Sequence, residues 1–203
     1  MIQWASGGRE TEEIVFAQFN ELLTKVPLLY FILCANSLAL AYTHHGTAPD
    51  YLTIYVAGIL SVACLLRAFK WHSFRTKTFD LEQAKHQIKM TVLFSIVMGI
   101  GFSLWSFTLY SYGDIGLRAH VAYYMSVTVI GIIVCLIHLP AAVWSTTITV
   151  GTPFVLFFST SGQPVFVAIA INFSTPLLSI PIQITRGFFK FGNPPTPFKD
   201  NSN

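Results

Sequence analysis

The chain has 203 residues, of which 53% are hydrophobic and only 10% charged, with a net charge of +3 at neutral pH. So little charge cannot solvate a water-soluble domain of this length, which excludes the soluble enzyme classes. No basic run alternates with aromatics in a polar segment, so the expected partner is a lipid bilayer with anionic headgroups and not nucleic acid.

The first 25 residues carry Glu10, Glu12, Glu13 and Glu21 and lack the apolar core of a cleavable signal. After Gly7 and Gly8, Thr11 is expected to cap a helix with Glu12 and Glu13 in its first turn. Val15, Phe19, Leu22, Leu23 and Val26 recur at helical spacing, which predicts an amphipathic helix on the inner membrane surface until Pro27 turns the chain.

Six apolar stretches follow, running roughly from Val26 to Thr43, Tyr51 to Phe69, Met90 to Tyr112, Ala119 to Leu139, Ala141 to Thr160 and Val165 to Gln183. Each approaches the ~20 residues that a helix needs to cross a bilayer. Threaded alternately from a cytoplasmic N-terminus, they leave eleven of the twelve Lys and Arg residues inside and only Arg118 outside. Basic loop residues are retained on the cytoplasmic face, so both termini are expected there. Spans four and five are separated only by His138, Leu139 and Pro140. Fusing them into one would put Arg186, Lys190 and Lys199 outside, against the charge rule, so six spans are preferred over five.

The largest inner loop, residues 70–89, ends in Asp80, Leu81, Glu82 and Gln83, a capping pattern that starts a helix near Leu81 and runs it into span three as a short projecting lever. Trp71, His72 and Phe74 at the base of the loop are expected to anchor in the interface. Within span three, Ser95, Gly99, Ser103 and Ser106 line one face. Small residues at that spacing let helix backbones approach closely, within the chain or, alternatively, across a homodimer seam.

Span six is the least apolar. Asn172, Thr175 or Pro176, Ser179, Gln183 and Arg186 lie three or four residues apart and form a polar stripe, while Pro176 and Pro181 kink the helix. An unpaired amide in lipid is costly, so the stripe is expected to face protein or trapped water.

Chemistry-bearing motifs are few. No Asp, Glu or Lys lies at the centre of a span, which weighs against ion-coupled transport. His120 and His138 sit at opposite ends of span four and cannot share a haem. Cys34, Cys64 and Cys135 lie in three different spans without CxxC spacing, so neither a disulfide frame nor a metal site is expected. Hydrolase, kinase and phosphate-loop signatures are missing, and no cofactor is expected. The polar residues of the outer loops are His44, His45 and Asp50, then Asp114, Arg118 and His120. Of these His44, His45 and His120 are the candidate sensing residues, because imidazoles titrate near neutral pH and can share a metal with a carboxylate.

The order of features resembles the N-terminal membrane region of alphaproteobacterial GGDEF and GGDEF/EAL proteins, which make or degrade cyclic di-GMP. The resemblance rests on LYFILCANSLAL in span one, LRAFKW after span two, CLIHLPAA closing span four and AIAINFSTPLL in span six. It covers roughly Glu12 to Phe188. It implies an input module in a bacterial inner membrane whose final helix passes a state to a cytoplasmic partner. Asn36, the Asn of span one in that pattern, joins Asn172, Ser179, Gln183 and Arg186 as the candidate relay or pocket set. After Arg186 the sequence reads GFFKFGNPPTPFKDNSN, with no GGDEF or EAL sequence, so no catalytic residue is carried over. The resulting expectation is an all-α, six-span membrane bundle: a lead-in over 1–25, a membrane domain over 26–189 and a Pro-rich tail over 190–203. It is read as a non-catalytic sensory or regulatory module, with a small solute transporter or channel subunit, or a membrane scaffold, as the alternatives. Its expected partners are a second copy or a membrane or cytoplasmic signalling protein.

Overall fold

A computed structural model describes the backbone of residues 3–192 and the side-chain surroundings of residues 12–186. Most of the expected Pro-rich tail, from residue 193 onward, lies outside the described residues. Six helices follow one another: α1 (Gln3–His44), α2 (Tyr51–Phe74), α3 (Leu81–Tyr110), α4 (Ile115–Cys135), α5 (Pro140–Ser159) and α6 (Pro164–Gly192). Each is long and apolar enough to cross a membrane, and no strand occurs among the described residues. The chain is therefore an all-α polytopic bundle and an integral membrane protein. The separation of α4 from α5 supports six spans over five. Pro140 occupies the first turn of α5, where its missing N–H would have had no helical partner.

The bundle is built around α1, which packs on α2, α3 and α4, while α5 lies between α3 and α6. Only 28% of the most apolar window of α2 and of α6 is buried inside the molecule, against 44% for α1, α4 and α5. The former pair are the edge helices.

Two expectations for α1 are corrected. The helix begins at Gln3, upstream of Thr11, so Thr11 does not cap it, and Pro27 lies inside the helix without turning the chain. The apolar stripe exists but faces protein. Phe19, Leu22 and Val26 are each at most 2% exposed, and the Phe19 ring lies 5.7 Å from Trp71 and 4.8 Å from Phe79. Trp71 and Phe74 are buried in this cluster, with ring centroids 5.6 Å apart, so they are not interfacial anchors. His72 is exposed. The physical reason is length. From Glu12 to His44 the helix has 33 residues, about 50 Å at ~1.5 Å per residue, well beyond a ~30 Å hydrocarbon core. Its surplus N-terminal turns meet the C-terminal end of α2 and the start of α3 and form an aromatic cap at that end of the bundle, termed the inner end after the orientation that the basic residues predict.

At the start of α3, Asp80 Oδ1 accepts the Gln83 backbone N–H at 2.8 Å, as the capping pattern expects. The helix continues unbroken through span three. Its first turns are not a free lever, because Ala84 is fully buried and Phe79 packs on Phe19 and Phe74.

The small-residue face of α3 serves packing within the chain. Ser95 Oγ lies 3.2 Å from Ser145 Oγ of α5, and Ser103 and Ser106 are buried. A Cβ added at Gly99 would come within 2.9 Å of both Thr149 Oγ1 and Val150 Cγ2. Opposite Gly99, residues Thr147–Gly151 of α5 form a π-helical turn. A second π turn, Tyr51–Val56, opens α2, and its Leu52 carbonyl accepts the Trp105 indole N–H at 2.9 Å. Toward the outer ends of α3, α5 and α6, the Tyr110 ring meets Phe157, Phe158 and Phe166 edge to face, and Phe154 packs on Phe158 at a tilt.

Candidate functional site

At the outer end of α1 the helix closes on Thr43 and His44, and the chain turns back through Gly46 at φ +84°. The adjacent histidines part company. His44 is fully buried, whereas His45 is exposed. His44 Nδ1 lies 3.0 Å from the Leu40 carbonyl oxygen, which can only accept, so Nδ1 carries the proton in the neutral ring. Its Nε2 is left as a buried lone pair without a hydrogen-bond partner among the described residues. The Thr43 hydroxyl lies 3.0 Å from the same carbonyl and 2.8 Å from His120 Nδ1, joining α1 to α4. Of the three candidate sensing residues, the structure thus brings His44 and His120 together around Thr43 and leaves His45 apart.

Of the two acidic residues nearby, one has structural work. Asp114 Oδ1 caps α4 by accepting the Leu117 N–H at 2.9 Å. Asp50 precedes the π turn of α2 without a side-chain capping bond. Arg118 places its guanidinium 5.2 Å from the centre of the Tyr110 ring. No group of three His, Cys, Asp or Glu residues among those described is placed to hold a metal ion.

The candidate relay set does not converge. Asn36 lies on α1, part-buried, with its Nδ2 buried and lacking a partner. Its helix packs on α2, α3 and α4, whereas Asn172, Ser179, Gln183 and Arg186 lie on α6 against α5. The rest of the chain does not cover the stripe. Asn172, Thr175, Gln183 and Arg186 are exposed on the outside of the bundle, and Ser179 is part-buried. The reason is that the inward face of α6 is claimed by Phe166, Ala170, Phe173 and Leu177, which pack into the core. What ties α6 to α5 is instead Trp144, whose indole N–H donates to Thr185 Oγ1 at 2.9 Å. Thr185 in turn donates to the Pro181 carbonyl at 2.8 Å.

Three polar pairings between helices were not anticipated from sequence. Ser37 Oγ donates to the Leu33 carbonyl and lies 3.1 Å from the Tyr124 hydroxyl, a buried link between α1 and α4. Near the inner end of α2, Arg67 stacks its guanidinium 4.5 Å from the centre of Phe94 and directs Nε toward the Tyr30 hydroxyl at 3.5 Å. Below it, Arg75 reaches the Leu23 carbonyl. A signal for Arg67 was present, since it is the one basic residue inside the second apolar stretch, Tyr51 to Phe69. Its partners Tyr30 and Phe94 are far away in sequence and carry no mark. A groove of about 440 Å³ opens in the inner cap between Phe74, Lys77, Phe79, Glu82 and His86.

No protein-family model, no curated protein and no solved structure matches this chain.

Proposed function

We propose that this chain is a non-catalytic sensory or regulatory module of a bacterial inner membrane, with both termini in the cytoplasm. The observation that carries the reading is the outer cluster of Thr43, His44 and His120. It couples the outer ends of α1 and α4 through one threonine, and it holds a buried imidazole nitrogen with no partner among the described residues. Protonation there, or a ligand that pries the cluster open, adds a donor or a charge at a site without an acceptor. The packing of α1 on α4 must then respond. α4 also touches α6, whose two internal prolines allow it to bend and whose inner end carries Arg186. The resemblance of the order of features to the input regions of cyclic di-GMP enzymes supports the same role.

The rival reading, a small transporter or channel subunit, would need its polar stripe to line a path. In this fold the stripe lies outside the bundle, so one chain provides no such lining. Solute flux into proteoliposomes is the discriminating measurement for that rival. Co-purification of one stoichiometric membrane partner would favour a scaffold.

The sensory reading is tested by measuring the distance between labels at Thr47→Cys and Arg186→Cys in bilayer nanodiscs between about pH 8 and about pH 5, the range over which histidine changes charge. A second series adds periplasm-like solutes. Two distance populations whose ratio moves with conditions are expected, and His44→Gln should fix the ratio with respect to pH. One unchanging distance under every condition overturns a switching module.

A further inference from the structure

The two edge helices pose a contrast. α2 and α6 are buried to the same extent, but the exposed face of α2 presents Ile54, Tyr55, Ile59, Val62 and Leu66, which lipid solvates well. The exposed face of α6 presents Asn172, Thr175 and Gln183 among Ile171, Leu178 and Ile182. Among the described residues none hydrogen-bonds those three polar side chains, whereas the hydroxyls of Ser174, Ser179 and Thr185 turn back onto carbonyls of their own helix. Pro176 has no N–H, so the backbone carbonyl of Asn172 also lacks its helical donor and adds an acceptor near the same face. Counted from Pro164, Asn172 lies about 12 Å along the helix at ~1.5 Å per residue, well inside a ~30 Å hydrocarbon core.

We propose that this face of α6 is the seam of a parallel homodimer, in which Asn172, Thr175 and Gln183 hydrogen-bond with the same residues of a second copy. The occupant follows from the chemistry and from the topology. The asymmetric distribution of basic residues inserts every copy the same way round, so a neighbouring copy presents each residue at the same depth. A primary amide carries donors and an acceptor together and is therefore complementary to itself across a two-fold axis. Lipid tails offer neither group. An unrelated helix would have to match three polar residues at three depths. The small Ala168 and, within the stripe, Ser179 allow close backbone approach, and Ile171, Leu178 and Ile182 flank it with apolar contact. Arg186 ends the stripe where two like charges can splay toward the anionic inner headgroups. The seam does not depend on the sensory reading, since a transporter or scaffold with this fold has the same three side chains to satisfy.

The test uses the full chain in native membranes with its three buried cysteines kept. Single substitutions Asn172→Cys, Thr175→Cys and Ile59→Cys are oxidised with copper phenanthroline. Thr175→Cys or Asn172→Cys should give a product of twice the chain's mass, while Ile59→Cys and the parent protein stay monomeric. Stripe cysteines that stay monomeric, that link to a different protein, or that cross-link no better than Ile59→Cys overturn the proposal. Energy transfer between labelled copies in liposomes supplies a second measurement that needs no cysteine on the stripe. Asn172→Leu combined with Gln183→Leu should weaken association by about threefold to thirtyfold, the range expected from interhelical hydrogen bonds in membranes, with Ile59→Leu unchanged. An unchanged association constant in the double variant overturns it.

Discussion

Arg75 donates its Nε–H to the backbone carbonyl of Leu23 at 3.2 Å, and Leu23 is the residue four before Pro27. In an unbroken α-helix that carbonyl accepts the N–H of residue 27, which proline lacks. A side chain from the end of α2 thus replaces a missing bond within α1, and it does so where the two helices meet in the inner cap. The pairing accounts for a helix that passes through Pro27 and still has a partner for the freed carbonyl.

A double-mutant cycle checks this. Arg75→Ala should destabilise the protein by about 0.5–1.5 kcal/mol, the net worth of one exposed hydrogen bond. In a Pro27→Ala background the backbone N–H returns and the same substitution should cost much less. Equal costs in the two backgrounds, read from thermal unfolding in detergent, would show that Arg75 does not serve this carbonyl.

The contact between α3 and α5 predicts unequal responses from two glycines. Gly99→Ala pushes a methyl group against Thr149 and Val150 and should lower stability by about 1–3 kcal/mol. Gly58→Ala meets nothing within 4 Å, and should be neutral or gain up to about 1 kcal/mol from helix propensity. Comparing aggregation temperatures of the two purified variants distinguishes them; equal losses would place the close approach elsewhere.

Stacking of Arg67 on Phe94 predicts that charge alone is not sufficient at this position. Arg67→Lys keeps the charge but loses the planar face and should resemble Phe94→Leu, each costing about 0.5–2 kcal/mol. The double variant should cost less than the sum. Full additivity in denaturant titrations would mean that the two side chains are merely neighbours.

The parting of the two histidines is open to chemical modification. In the native protein, exposed His45 should react readily with diethyl pyrocarbonate, while buried His44 is protected until the bundle unfolds. Peptide mass mapping over time follows both sites at once. Early modification of His44 would show that the outer cluster is open in solution.

Much of the architecture is legible in the order of residues, because local rules govern it. Span length is set by bilayer thickness, and the start of α3 by an aspartate three residues from the N–H it caps. The small-residue face of α3 could likewise be read as a packing surface, since periodicity places Ser95 and Gly99 together before any partner is known. Which way an amphipathic or polar face turns is a different matter, because it depends on what the rest of the chain offers. Phe19 and Trp71 look alike whether they meet lipid headgroups or each other, and only the arrangement of α1 beside α2 puts their rings 5.7 Å apart. The stripe of α6 was identifiable residue by residue, yet its outward direction follows from Phe166, Phe173 and Leu177 competing for the core side of the same helix. His44 and His120 are 76 positions apart, and they meet through Thr43 because antiparallel α1 and α4 bring their outer ends to one level. Periodicity marks the faces a helix has; the competition of all six helices for a limited interior assigns them.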